Sequence, residues 1–198
     1  MDTHSEEDSV FEGMQWLNEP PSWTVDDATL VAVSGDKTDF WRETFYGFVH
    51  DNGHFYYREV DGDFTAEVTL VGGYESLYDQ SGLMLRADER HWVKFGLELT
   101  DGVVHASTVI TREYSDWSML ALPSYGGTLR LRLTRQGDAI RAQFREPAGP
   151  WRLLRLGYLP LPKTCQVGVM CCSPEHAGFE ARFEEFAITE PISRDLHD

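Results

Sequence analysis

Four residues in the middle of the chain carry side chains that could grip a polar molecule or move protons: Arg86, Lys94, Glu98 and His105. Arginine offers a rigid fork of donors, lysine a compact cation and glutamate a pair of acceptor oxygens, a combination able to hold a vicinal diol. Glu98 beside Lys94 and His105 could also transfer protons, as an epimerase or mutarotase requires. Trp92 and Trp117 add flat apolar rings of the kind that stack on a sugar. With Gln80 and Met84 these residues make up the candidate ligand-binding set. Glu98, His105 and Lys94 are the candidates for catalysis.

One sheet face would have to present them all, and the local sequence supplies one. Val93-Lys94-Phe95-Gly96-Leu97-Glu98-Leu99 alternates strictly, the mark of a half-buried strand. Asp101-Gly102 is a two-residue hairpin signal. Placing the turn there pairs Thr100 with Val103, Glu98 with His105, Gly96 with Ser107 and Lys94 with Val109. Val93, Phe95, Leu97 and Leu99 then form a core face. In the preceding strand Leu83 and Leu85 point inward, which sends Gln80, Met84 and Arg86 outward, with Arg86 beside Trp92 and Met84 beside Lys94. Gly82 and Gly96 on that face would leave room for a ligand to approach the backbone. The bland alternative is a solvated outer face, on which a Lys94–Glu98 set contributes well under about 1 kcal/mol. Trp92, Met84 and two glycines are odd choices for such a surface.

The rest of the chain reads as β as well. Phe64–Leu70, Leu129–Thr134, Ile140–Arg145 and Phe179–Phe183 alternate, and Asn52-Gly53, Asp61-Gly62, Gly126-Gly127 and Gly137-Asp138 punctuate them as turns. No stretch of a dozen residues carries a helical stripe, so an antiparallel sandwich or barrel is expected. The first 12 residues hold five acids and neither Lys nor Arg. Residues 1–13 are therefore expected to be a flexible acidic leader, 14–191 a single β-sandwich domain and 192–198 a polar tail.

Composition excludes several functions. With 17 basic and 33 acidic residues the formal net charge is −16, a field that repels phosphate backbones, so no nucleic-acid partner is expected. The arginines of the 130–155 region (Arg130, Arg132, Arg135, Arg141, Arg145, Arg152, Arg155) are spaced like a solvated strand face. No membrane-spanning run and no secretory leader is present in the sequence, which leads to a cytoplasmic expectation. Cys165, Cys171 and Cys172 fit neither a disulfide framework nor a zinc knuckle and read as small buried hydrophobes. No Gly-x-Gly-x-x-Gly, phosphate loop or Gly-x-Ser-x-Gly elbow occurs, and His50 and His54 have no acid partner in place, so no cofactor and no metal are expected. Glu59-Val60-Asp61-Gly62-Asp63 is one residue short of the Glu-x-Asp-x-x-Glu strand of laminarinase-type enzymes.

Several separated segments resemble domain-of-unknown-function family 1349. They are Met14-Gln15-Trp16-Leu17-Asn18-Glu19-Pro20-Pro21, Thr38-Asp39-Phe40-Trp41, Tyr78-Asp79-Gln80-Ser81-Gly82-Leu83-Met84, Trp92-Val93-Lys94 with Glu98, and Ser115-Asp116-Trp117-Ser118. The resemblance runs from about residue 14 to 188. It implies an all-β fold, a concanavalin A-like jelly-roll sandwich of two curved antiparallel sheets, and little chemistry. The wider superfamily often binds carbohydrate on its concave sheet, an analogy of fold alone. The expected function is binding of a sugar or other small polar ligand on that sheet. An acid–base enzyme acting on such a sugar (epimerase, mutarotase or hydrolase type) and a regulatory domain that docks a protein partner are the alternatives.

Overall fold

The computed structural model describes residues 10–196. The chain opens with β1 (Gln15–Leu17), β2 (Ser22–Asp26), β3 (Thr29–Val33), β4 (Phe40–Arg42), β5 (Val49–Asp51) and β6 (His54–Asp61). Then come β7 (Phe64–Val71), β8 (Gln80–Asp88), β9 (His91–Thr100), β10 (Val103–Arg112) and β11 (Tyr114–Ala121). It ends with β12 (Thr128–Gln136), β13 (Ala139–Arg145), β14 (Arg152–Tyr158), β15 (Thr164–Cys172) and β16 (Glu180–Thr189). No helix occurs among the described residues, and so none long and apolar enough to cross a membrane.

Two seven-stranded antiparallel sheets face each other, ordered β1-β6-β15-β8-β9-β10-β11 and β14-β13-β12-β7-β16-β3-β2. Strands β4 and β5 pair only with each other. Between the sheets lies the core, where Leu83, Leu85, Val93, Phe95 and Leu97 of the first sheet meet Val68, Leu131, Leu133 and Phe144 of the second, all fully buried. Alternation along the strands dictates this arrangement, since every second side chain must leave water.

The register read from Asp101-Gly102 is the one observed: Thr100 pairs with Val103, Glu98 with His105 and Lys94 with Val109. Asp101 and Gly102 both take positive φ, 52° and 72°, as a type I′ turn requires. Gly137-Asp138 also closes a hairpin, between β12 and β13. The remaining turn dipeptides do something else. Asp61-Gly62 and Gly126-Gly127 carry the chain from the first sheet to the second, and Asn52-Gly53 links β5 to β6, which do not pair. Gly53 is needed for space, because a Cβ there would collide with the Phe40 ring and the Cys172 sulfur.

Gly82 and Gly96 correct a second expectation. They face each other across β8 and β9, and a Cβ on either would run into the neighbouring strand's backbone, the Phe95 carbonyl for Gly82 and the Ser81 carbonyl for Gly96. Their smallness lets the strands themselves approach; the hollow that Gly96 borders, about 10 Å³ beside Gln80, Lys94 and Glu98, is too small for a sugar.

The arginine row is a solvated face only in part: Arg152 is exposed and Arg130, Arg145 and Arg155 half-buried, but Arg132, Arg135 and Arg141 are buried. Arg135 is 5% and Arg141 4% exposed. Arg135 donates to the carbonyls of Leu161 and Pro162 at 2.9 and 2.8 Å, and Arg141 to those of Ser193 and Asp195 at 2.8 Å each. Arg132 and Arg145 both stack on Trp151. Spacing alone could not reveal that Trp151 and the chain end fold over this face. For the same reason residues 192–195 are docked on the sheet, so the expected polar tail is held as far as Asp195. At the other end Phe11, only 3% exposed, stacks on Phe186, so the buried part of the chain begins inside the expected leader. Residues 1–9 of that leader, and 197–198 of the tail, lie outside the described residues.

Cys165, Cys171 and Cys172 are free and buried, and burial pushes the Cys171 thiol up to about 12. Leu97→Ala should cost about 2–5 kcal/mol in urea unfolding, through the cavity it leaves between the sheets. Gly82→Ala, which adds one methyl group where backbone already stands, should destabilise by about 1–3 kcal/mol in the same measurement.

Candidate functional site

The first sheet has a second face, turned away from the core. Its large side chains, Phe55 from β6, Met84 from β8, Trp92 from β9, Val109 from β10 and Met170 from β15, are buried there. What covers them is the β4–β5 hairpin, which inserts Phe40 and Trp41. Phe40 sits with its ring centroid 6.1 Å from that of Trp92. The hairpin is fastened at one end by Arg42, whose amide donates to Ser115 Oγ at 2.9 Å and whose Nε donates to the Glu113 carbonyl at 3.2 Å. At the other end Arg86 donates to both oxygens of Asp51, at 2.8 and 2.9 Å.

Beside the hairpin the outer face stays open as a cavity of about 450 Å³. Its floor holds Gln80, Lys94 and Glu98. Trp41, Tyr46, Phe48 and His50 from the hairpin form one wall, Trp117 and Val109 another, and Tyr78 with Pro174 and Glu175 the third; Lys37 and Asp39 complete the lining. Lys94 is 5% and Glu98 7% exposed, so the solvated-face alternative does not hold for them. Nor do they pair with each other. Lys94 Nζ donates to Asp39 Oδ1 at 2.8 Å, an oxygen that also accepts the Phe40 amide at 2.8 Å and the Gln80 amide at 3.5 Å. Glu98 Oε2 accepts the Ser107 hydroxyl at 2.6 Å, and Ser107 Oγ in turn accepts the Trp117 indole N–H at 2.9 Å.

Asp39 reaches this position because its loop is tied down on both sides. The Thr38 amide donates to the Ser173 carbonyl at 3.1 Å and the Ser173 amide to Thr38 Oγ1 at 3.0 Å. Asn52 Oδ1 accepts the Asp39 amide at 3.0 Å. The opposite wall is anchored by Asp79, 1% exposed, which accepts the Ser173 hydroxyl at 2.7 Å and contacts His176 Nε2 at 2.9 Å.

Burial raises the Glu98 carboxyl above the usual glutamate range, against the pull of the Lys94 charge and the Ser107 hydrogen bond. Burial alone would lower the Lys94 ammonium, but the Asp39 carboxylate, with Glu98 behind it, reverses the balance and holds it above the ordinary lysine value. The floor thus offers an ammonium paired with Asp39, a carboxyl raised by burial above the usual glutamate range, and an amide.

Of the residues singled out from the sequence, the structure brings Gln80, Lys94, Glu98 and Trp117 together in the cavity. Met84 and Trp92 share their face but lie under the hairpin, both 0% exposed, so Trp92 is no open platform for a ring. Arg86 has spent its fork on Asp51. His105 stands opposite Glu98 on β10, yet its Nδ1 is tied to the Val103 carbonyl at 2.8 Å and it does not line the cavity. The laminarinase-like acids are elsewhere: Asp61 accepts from Thr164 at the surface and Asp63 from the Gly137 amide. Asp39, Tyr46, Phe48, His50, Tyr78 and Glu175 were missed. The available signal was an acid set before a dense aromatic stretch, Asp39-Phe40-Trp41 followed by Phe45-Tyr46-Gly47-Phe48. Among the described residues no group of three His, Cys, Asp or Glu side chains is placed to hold a metal.

Two facing antiparallel sheets with a walled cavity on the outer face of one of them define a jelly-roll protein of the concanavalin A-like kind. Within that class, the chain belongs to the family described as protein of unknown function (DUF1349), which matches residues 16–191. It is 43% identical over 186 residues to Regulation of enolase protein 1 of Saccharomyces cerevisiae, covering 92% of each chain. A crystal structure of a functionally unknown protein from Saccharomyces cerevisiae superposes with a TM-score of 0.89 at 39% identity, over 93% of this chain and 100% of that one. Carbohydrate binding module CBM66 from Bacillus subtilis shares the fold at 13% identity and a TM-score of 0.58, over 88% and 95% of the two chains. So does part of the GH43 protein BlXynB from Bacillus licheniformis, at 16% identity and a TM-score of 0.67, over 91% of this chain and 38% of that one. At such identities the likeness is one of fold.

Glu98→Gln should reveal the buried carboxyl through stability. A carboxyl whose folded-state pKa is raised binds its proton better in the native protein than in the unfolded chain. That contribution is fully present below the ordinary value of 4.5 and is lost as pH rises through the raised folded value. Glutamine removes the charge while keeping an acceptor for Ser107. The variant should therefore gain stability over the parent as pH rises to 8, and the gain should vanish near pH 4.5 and below, read as the difference in urea midpoints.

Proposed function

We propose that the protein binds a sugar or similar polyhydroxylated small molecule in the cavity over Lys94 and Glu98. The observation that carries this reading is the pairing of a buried polar floor with aromatic walls. Each hydroxyl of a sugar both donates and accepts, and so suits the mixed donors and acceptors of Gln80, Lys94 and Glu98. The ring's apolar face suits Trp117 and the hairpin aromatics. A cavity of this composition is the usual form of a small-molecule site. The carbohydrate-binding module among the structural neighbours supports the choice of ligand by analogy of fold.

Titration of intrinsic tryptophan fluorescence with a panel of neutral sugars tests it, since Trp41 and Trp117 line the cavity. At least one sugar should give a saturable change. Glu98→Gln should weaken that binding about tenfold or more, the loss of one hydrogen bond to a charged group. Glu59→Gln, an equal charge change at an exposed position of β6 outside the cavity lining, should leave it intact. The absence of saturable binding across the panel would sink the reading.

A second reading, acid–base turnover of the bound sugar, is favoured by the buried Glu98, whose carboxyl burial raises above the usual glutamate range, since a poised carboxyl is what such chemistry needs. Polarimetry of freshly dissolved glucose, galactose and xylose decides it. Accelerated mutarotation that disappears in Glu98→Gln would make the protein an enzyme, and an unchanged rate would leave it a binding module. The name of the yeast relative points to regulation for that protein. A stoichiometric co-purifying chain, with no sugar bound, would replace our reading with a docking role. We place the protein in a reducing compartment such as the cytoplasm, with its three free thiols in support. Alkylation of denatured, unreduced protein should count three adducts by mass spectrometry, and one or none would reverse that placement.

A further inference from the structure

This inference rests on the binding reading and concerns what part of a carbohydrate the cavity can take. A long glycan bound along its length needs a trough open at two ends. Here the β4–β5 hairpin stands across the outer face, fixed to Glu113 and Ser115 on one side and to Arg86 on the other. Trp41 of the hairpin meets Trp117 of β11 edge to face, with centroids 6.4 Å apart, and this contact joins the first wall to the second. The third wall, Tyr78 with Pro174 and Glu175, is held by the buried Asp79 through Ser173. A space of about 450 Å³ falls toward the small end of the roughly 300–1,000 Å³ of known ligand pockets.

Charge narrows the ligand further. Lys94 is committed to Asp39 at 2.8 Å, so its charge is already neutralised. Beyond that pair the acidic and basic side chains lining the cavity are Glu98 on the floor, Glu175 on one wall, Lys37 and the His50 imidazole, within a chain of formal charge −16. A phosphate group brought in would exchange water for two carboxylates, one exposed lysine and an imidazole, a repulsive setting. An uncharged ring meets no such penalty.

We propose that the cavity takes one uncharged sugar unit, free or at the end of a glycan chain, and excludes both sugar phosphates and the interior of a chain. The probes are glucose, galactose, mannose, xylose, arabinose and fructose, each alone and as a phosphate ester, followed by a linear polymer of whichever sugar binds. The neutral sugar should bind at least tenfold more tightly than its ester. The polymer should offer sites in proportion to its chain ends, so that halving its mean length doubles the sites per gram. Glu175→Lys, at an exposed rim position, should narrow the gap between sugar and ester. An ester that binds as well as the sugar, or a polymer whose sites per gram ignore chain length, overturns the proposal while the binding reading stands. If no sugar in the panel binds, both fall together.

Discussion

A lysine on the face of a β-sheet can leave water only if a carboxylate comes to meet it, and for Lys94 that carboxylate arrives from 55 residues earlier in the chain. An ammonium moved alone into this environment would cost several kcal/mol, and removing one partner of such a buried pair costs about 3–5 kcal/mol. The Lys94–Asp39 contact is therefore a constraint on everything around it. It fixes the entry to β4, whose next residues, Phe40 and Trp41, seal the outer cluster over Trp92 and Met84. Pairing with β4 then brings β5 back to Asp51, which accepts two bonds from Arg86. The cavity is the space left between a hairpin placed by this pair and the loops held by Asp79.

The two faces of the first sheet obey different rules, and the difference explains the unusual residues on it. The inner face needs only apolar side chains of the right volume, and Leu83, Leu85, Phe95 and Leu97 supply them. The outer face must satisfy an apolar cluster at one end and a charged floor at the other within a few residues of the same strands. Met84 and Lys94 are direct neighbours across β8 and β9, one fully buried under Phe40 and Trp41 and the other facing the cavity. Gly82 and Gly96, between these residues and Gln80 and Glu98, let the strands approach more closely than any side chain would permit.

This is also why the fold was legible in the sequence and the site only in part. Strand alternation and a single Asp-Gly turn are local signals, and they specify which side chains share a face; Gln80, Lys94 and Glu98 were found by them, while Trp117 stood out only as an aromatic within a family-like segment. What those signals cannot carry is which parts of a shared face are covered by distant chain. Trp92 and Arg86 looked like ligand-binding groups because nothing near them in sequence shows that β4 and β5 lie on top. Lys94 and Glu98 looked like each other's partners because Asp39 is remote. The arginine row misled in part for the same reason: Arg141 is covered by the carbonyls of Ser193 and Asp195, from a remote segment. Long-range contact, not local pattern, decides burial, and burial decides whether a polar side chain is a ligand contact or a structural bond.

The same reasoning limits what the fold neighbours can say about function. The sandwich shared with CBM66 and the GH43 proteins at 13% and 16% identity supplies the floor strands. The elements that turn the floor into a cavity are the 37–51 segment and the loops before β8 and after β15. Six of the lining side chains, Lys37, Asp39, Trp41, Tyr46, Phe48 and His50, come from that one segment. Its tip holds Phe45 with φ at 65°, between Glu43 at 60° and Gly47 at 71°. Positive φ is costly for non-glycine residues, and such conformations persist where surrounding structure enforces them. Here the enforcing contacts are the Glu43 amide on the Phe48 carbonyl, the Gly47 amide on the Glu43 carbonyl, and the Trp41 indole on the Thr44 carbonyl. The aromatic wall is thus preorganised by contacts made within the hairpin itself.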